Sequence, residues 1–349
     1  MTVRMRQPEN LEFPFSELKT FITPTDRLFI RSHFAVPKID PATWRLTVEG
    51  AVEKKLELSL EDIKKLTPVT MPLTLECAGN GRVFIVPQAH GLNWGLGAVG
   101  NPEWTGVPLS AILERAGVKP EAVEVILVGA DVGAIAAEPA SPGPIPFCRS
   151  IPLEKAKKPE AMLAYGMNGE DLTPSHGFPL RAVVGGWYGM ASVKWLTRIV
   201  VTDKPYAGFW QTLHYSYFER REGKLPQMTP VTRIQPKASI ARPTLAENVP
   251  AGKPYTIIGA AWTGESEVAK VEVSTDGGTT WALAKLTGPE KPFCWRTWEF
   301  LWQVPAAKGP MKLIARATDA AGATQPDQRD ADRRSYMINH LVPVEVLVR

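Results

Sequence analysis

Leu75–Arg82 reads LECAGNGR, and the way it breaks decides how the surrounding chain must fold. Leu75 and Glu76 end a strand-like run, whereas Ala78-Gly79-Asn80-Gly81 is poor core sequence and good tight loop, because Gly and Asn tolerate backbone that other residues avoid. Cys77 therefore sits where a strand hands over to exposed backbone, with Arg82 five residues on and able to lower its pKa. An isolated cysteine is ordinarily a small core residue, but this loop favours a thiolate that acts either as nucleophile or as metal ligand. A nucleophile needs a base; His33 and His176 are candidates, and neither stands in a recognisable thiol-enzyme context.

Outward from this loop, the first two thirds of the chain alternate strand-like and helix-like runs. LSLEDIKKL offers Ser59 as a helix cap, LSAILERAG ends on a glycine stop, and VEVILVGAD predicts a strand entering a loop. Pro and Gly are dense in EPASPGPIPF and DLTPSHGFP, which predicts long ordered loops of the kind that surround a site. After about Leu225 the character changes to closely spaced strands: YTIIGAAW, AKVEVSTD, TTWALAKL, TWEFLWQV, MKLIARATDA and VPVEVLVR. Asp276-Gly277-Gly278 predicts a hairpin with a two-residue primed turn, which needs positive φ. The expectation is an α+β chain with a mixed α/β domain over residues 1–227 and an all-β sandwich over residues 228–349.

Composition narrows the function classes. Forty Lys plus Arg against 36 Asp plus Glu is too even to suggest nucleic acid binding. No run approaches the apolar length of a membrane helix, and MTVRMRQPENLEFPF lacks the pattern of a secretory leader, so the chain is expected to be soluble and cytoplasmic, or periplasmic if a leader was removed. Cys77, Cys148 and Cys294 lie far apart, which argues against a disulfide framework, and the five histidines form no H-x-x-x-H or H-x-H pair. A metal here takes few protein ligands.

Two further stretches can carry chemistry. In FIRSHF, Arg31 and His33 alternate along an extended run and point the same way. HGFPLR, with His176 and Arg181, is followed by GGWYGMASVKWL with Lys194, and cations beside glycine-rich backbone suit a phosphate. The tryptophans Trp187, Trp195, Trp262, Trp281, Trp298 and Trp302 are expected in the core or at an interface.

The ordered motifs LFIRSHFAVP, LECAGNGR, GLNWGLGAVGNPEWTGVPL, SHGFPLR and SVKWL resemble the sulfite oxidase family of molybdenum enzymes, and VEVSTDGGTTW resembles that family's immunoglobulin-like dimerisation domain. The resemblance spans nearly the whole chain. It implies that Cys77 binds molybdenum as its only protein ligand, the other donors being the molybdopterin dithiolene and oxo groups. It further implies that His33, Asp131, Ser150, His176, Arg181, Ser192 and Lys194 hold the pterin and its phosphate. Arg31, Arg82, Trp94, Tyr215 and Arg334 are implied around the substrate, a small dianion such as sulfite, for which arginine forks are suited.

Gly81 departs from the family, which often has a second arginine there, so reduction of nitrate, a sulfoxide or another oxo donor stays open beside oxidation of sulfite to sulfate. No heme domain is expected within these 349 residues, which have no paired histidines in such a context. Electrons are expected to pass to an external acceptor, for which the family suggests a cytochrome c, and the sandwich is expected to mediate a homodimer, with Trp298 or Trp302 at its surface.

Overall fold

The protein is described by a computed structural model covering residues 1–349. Strands dominate it. In the first part, a five-stranded sheet runs in the order Ile145–Pro152, Glu124–Gly133, Leu196–Thr202, Leu46–Gly50 and Leu56–Leu58. All its pairings are antiparallel except that of Leu196–Thr202 with Leu46–Gly50. A second sheet orders Glu170–Asp171, Ala161–Met167, Glu103–Pro108 and Val69–Pro72, with Arg181–Val184 also paired to Ala161–Met167. Segments between these strands, among them those around Cys77, His176 and Met190, line one cavity.

The helices are few and short. Ser59 caps Leu60–Lys64 through a reciprocal pair with Asp62, and Gly117, at φ +70°, stops Leu109–Ala116 where a left-handed residue is needed. No helix is long and apolar enough to cross a membrane.

The second part consists of two sheets. One orders Lys237–Arg242, Pro254–Trp262, Arg296–Gln303 and Lys285–Thr287; the other Asn248–Val249, Val344–Val348, Gly309–Asp319, Val268–Ser274 and Ala282–Leu283. Ile257 and Trp298 from the first pack against Val271 and Ala315 from the second. Trp298 and Trp302 are 1% and 4% exposed, so both belong to this core and not to the surface. The predicted hairpin is present, but its connection spans residues 275–281: the Asp276 carboxylate accepts from the Thr279 and Thr280 amides, which builds a longer loop than a two-residue turn.

The two parts are welded behind the Cys77 loop. Lys237, 3% exposed, lies 3.1 Å from the Glu76 carboxylate and donates to the Asn80 carbonyl at 2.9 Å. Glu76 also accepts from Trp262 Nε1 at 2.8 Å and from Asn80 Nδ2 at 3.1 Å. A second buried contact sets Lys155 between Glu160 (2.6 Å) and Glu265 (2.9 Å). Removing one member of a buried pair strands the other charge, whereas replacing both is far milder. Lys237→Met is therefore expected to destabilise the protein by about 3–5 kcal/mol, and Glu76→Gln with Lys237→Met to recover most of that loss, read from denaturant midpoints.

Candidate active site

The strand Ile30–Arg31, paired to Asn10–Glu12, brings Arg31 and then His33 to one wall of the cavity. The loop after Leu75–Glu76 supplies Cys77, the distal part of Glu124–Gly133 supplies Asp131, and Pro174–His176 with Arg181–Val184 supplies His176 and Arg181. Ser192 and Lys194 follow the 3-10 turn Gly189–Ala191, and Tyr215 follows the short helix Phe209–Thr212. Counting its open mouth, the space is about 640 Å³, within the range of ordinary ligand sites. Nine predicted site residues line it; Arg82, Trp94, Ser150 and Arg334 do not.

Cys77 is held by its backbone, its amide donating to Ala98 and its carbonyl accepting from Asn80, both at 2.9 Å. Burial pushes its thiol pKa up, against the pull of Arg82 and Arg31. A Cβ at Gly79 would lie 2.2 Å from the Arg82 guanidinium, so any larger residue there displaces that side chain from its carbonyl partners. That guanidinium wraps behind the loop, donating to Leu92 O at 2.7 Å and to Ser335 O at 3.0 and 3.2 Å, so it acts on Cys77 through its charge. Trp94 is fully buried beside Phe29 in the cluster that also contains Cys77, with its Nε1 unpartnered.

The polar end of the cavity is rich in buried positive charge. Lys194 Nζ donates to Ser175 O at 2.8 Å and Ser32 Oγ at 3.0 Å and lies 4.1 Å from the Trp195 ring centroid. Burial first, then the neighbouring Arg181, hold its pKa well below the ordinary lysine value. Arg181 donates to the carbonyls of His176 and Ser192, and burial lowers its pKa to about 9. Asp131 is the nearby carboxylate, and burial pushes it up to about 6 despite Lys194. His176 pairs through Nδ1 with the Thr173 hydroxyl at 2.8 Å, while its buried Nε2 has no hydrogen-bond partner. Burial, with Lys194 and Arg181 beside it, lowers its pKa to about 3; the pull of the Leu28 carbonyl does not restore the charged form.

On the opposite wall, Tyr215 Oη and His33 Nε2 are 2.7 Å apart. The His33 ring stacks on Phe147 at 4.7 Å and meets the Trp210 edge at 4.6 Å. Burial lowers the His33 pKa and raises that of Tyr215, so both are neutral near pH 7. Tyr215 has φ +48°, a conformation that costs a tyrosine energy and must be held by its neighbours.

The strand Ile145–Pro152 shows why Ser150 lies elsewhere. Alternation sends Phe147 and Arg149 inward, and Ser150 to the other face, where its hydroxyl donates to Glu124 at 2.7 Å. Arg149, absent from the sequence expectation, is fully buried and donates to the Trp210 and Val231 carbonyls that flank Tyr215. Its signal was a charge inside the run IPFCRSIP, in phase with Phe147. Trp195, expected as core, also lines the cavity. Arg334 turns to the Leu213 carbonyl at 3.0 Å and to Ser216 O and Oγ at 3.2 Å.

Residues 33–210 match the oxidoreductase molybdopterin binding domain, and residues 229–348 the Mo-co oxidoreductase dimerisation domain. Mitochondrial sulfite oxidase of Homo sapiens is 36% identical over 345 residues, covering 94% of this chain and 62% of that protein. Sulfite oxidase of Gallus gallus is 34% identical, covering 94% and 73%. The NADH nitrate reductase of Solanum lycopersicum is 34% identical, covering 93% and 38%. Among solved structures, the sulfane dehydrogenase SoxCD from Paracoccus pantotrophus superposes with a TM-score of 0.82 at 29% identity, covering 96% of this chain and 83% of that one. The chain thus spans just over three fifths of the human relative's length. It belongs to the sulfite oxidase family of molybdenum enzymes.

The cavity fits that family's cofactor on its own evidence. The Cys77 thiol is a soft donor, and Lys194, Arg181 and the unpartnered His176 Nε2 supply positive charge and hydrogen bonding for a phosphorylated pterin. One consequence is measurable in cofactor-free protein. An unfolded chain protonates His176 near pH 6.5, and the folded one only near pH 3. Between those values unfolding takes up a proton, so this group's contribution is intact above pH 6.5 and falls by about 1.4 kcal/mol per pH unit on acidification. His176→Gln is expected to flatten the decline in stability between pH 6 and 4 by about that slope, measured by urea unfolding at each pH.

Proposed function

We propose that Cys77 ligates molybdenum in this cavity and that the protein oxidises sulfite to sulfate. The observation that carries this reading is one cavity lined together by a soft thiol, an arginine, a neutral His–Tyr pair and buried cations. When bound, molybdopterin-held molybdenum supplies oxo transfer and takes up the two electrons of the reaction. The chain's residues do the rest. Arg31 hydrogen-bonds and orients the anion, Arg82 adds positive potential from behind the loop, and Tyr215, its hydroxyl set by His33, holds an oxygen or a proton at the reacting anion. His176, Arg181, Ser192 and Lys194 hold the pterin phosphate, with Asp131 as counter-charge.

The finer assignments follow the same reading. The chain divides at residues 227/228, the second unit is an immunoglobulin-like sandwich that pairs two copies, and electrons leave singly to an external carrier such as a cytochrome c. The compartment we propose is the cytoplasm.

A second reading keeps the cofactor and changes the substrate. Arg334 faces carbonyls, Arg82 lies behind the loop and Gly81 carries no charge, so of the arginines expected around the substrate Arg31 alone lines the pocket. This favours a larger sulfur substrate, or reduction of nitrate or a sulfoxide.

Sulfite-dependent reduction of an artificial one-electron acceptor, by protein of measured molybdenum content, decides between them. Turnover supports the first reading, and a molybdenum-loaded but inert sample rejects sulfite. Cys77→Ser is expected to keep the thermal midpoint within about 4 °C of the parent, the scale of a change near 1 kcal/mol, and to lose turnover. Full activity in that variant removes Cys77 as ligand.

A further inference from the structure

Arg149 is fully buried, yet it does not line the cavity. Its two terminal nitrogens go to two different segments. Nη1 donates to the Trp210 carbonyl, within the short helix Phe209–Thr212, and Nη2 donates to the Val231 carbonyl at 2.9 Å. Val231 in turn donates its amide to Tyr215 O at 2.7 Å. Trp210 packs its ring on His33, with centroids 4.6 Å apart, and anchors Nε1 on Pro146 O at 2.9 Å. One guanidinium therefore ties the backbone of the residue packed on His33 to that of the residue holding Tyr215. The strand that carries Arg149 presents Phe147 in phase with it, and Phe147 stacks on His33.

This guanidinium is a poor device for stability alone. Burial lowers its pKa to about 10, and the groups whose charge acts on it are the Tyr215 phenol, the Cys148 thiol and the phenols of Tyr336 and Tyr206, all neutral near pH 7. Its Nε has no hydrogen-bond partner. A buried cation held by carbonyls, without a carboxylate, recovers little of its desolvation cost, so what it contributes is geometry. Tyr215 needs that geometry, because at φ +48° it keeps its place only while the neighbouring backbone holds it.

We propose that Arg149 is a positioning residue for the His33–Tyr215 pair: its two nitrogens fix the spacing of the Trp210 and Val231 backbones, and with it the 2.7 Å contact between Tyr215 Oη and His33 Nε2. That the pair acts on the anion rests on the proposed function; that Arg149 sets its geometry does not. Lysine keeps the charge but puts one nitrogen in place of the planar fork, so charge and the two-point grip can be separated.

The variants are Arg149→Lys, Arg149→Met, Tyr215→Phe and the double Arg149→Lys with Tyr215→Phe, compared as molybdenum-loaded protein with sulfite. Positioning predicts that both Arg149 variants lose about tenfold or more in kcat per molybdenum, with KM within about threefold. It also predicts that Arg149→Lys adds less than about twofold to the loss in Tyr215→Phe, because both remove the same function. Hydrogen exchange measured without substrate should speed up over residues 209–216 and 229–232 in Arg149→Lys, while Lys237–Arg242 keeps its protection. Should Arg149→Met fail to fold, Arg149→Lys and its double carry the same comparison.

Parental kcat in Arg149→Lys overturns the proposal, since charge alone would then suffice. So does a variant that lowers the thermal midpoint and leaves kcat per molybdenum intact, which makes Arg149 structural only, and so does a loss that multiplies fully with that of Tyr215→Phe. If the parent protein does not turn over sulfite, the proposed function falls and exchange decides alone: faster exchange at 209–216 and 229–232 in Arg149→Lys upholds the grip, and unchanged exchange removes it.

Discussion

The buried pair of Glu76 and Lys237 is the constraint on which the site depends. Glu76 precedes Cys77 directly, and its carboxylate is tied to Lys237, Asn80 and Trp262. Two charges taken out of water are stable together only when every remaining lone pair and proton is matched. Here the matching groups come from both ends of the loop and from two neighbouring strands of the second part of the chain. Cys77 can thus stand at the cavity wall on backbone that would otherwise be mobile. Gly81 is part of the same arrangement: at φ +94°, a Cβ there would lie 3.3 Å from Ile338 and 3.5 Å from Lys237 Nζ, so Lys237 packs directly against this turn.

The cavity itself runs against the usual economy of a core. Lys194 and Arg181 are buried mainly against carbonyls, hydroxyls and rings; Asp131, itself pushed toward neutrality, and Glu9 are the carboxylates that act on Lys194. Positive charge with so little compensation is costly in an empty site and favourable once an anion enters. The aromatic wall has the opposite character, since His33 and Tyr215 are neutral near pH 7 and packed by Phe147 and Trp210. The buried cations are therefore suited to hold a charged group, and the His33–Tyr215 pair to handle hydrogen bonds and protons without itself carrying charge.

Much of this was legible in the chain, and the failures have physical causes. Cys77 stood out because strand and loop residues meet on either side of it, and Arg31 and His33 because alternation puts both on one wall. Ser150 lies elsewhere because a shift of one residue along a strand reverses the face, which makes Arg149 the inward group and Ser150 the outward one. Arg334 was visible as a charge, but its direction was set by a φ/ψ pair that no local pattern announces. Asp276-Gly277-Gly278 marked a hairpin correctly and its length incorrectly, because the Asp276 carboxylate organises two further residues. Trp298 and Trp302 alternate with exposed positions, and only the pairing of two sheets shows which face is inside.

These observations also bear on what the second part of the chain is for. A module that only paired two copies would need few contacts with the Cys77 loop. Instead it supplies Lys237 and Trp262 behind Cys77, Ser335 to Arg82, Met337 to Ala78, and Arg334 and Tyr336 to the turn of Tyr215. The residues that flank the reacting centre thus come from loops of the first part that are held from outside by the second. Loops of this kind are stable only as far as their partners are, so opening the junction would release Cys77 and Tyr215 together. The second part of the chain therefore lines none of the cavity and acts on it as a buttress, by holding the loops that do.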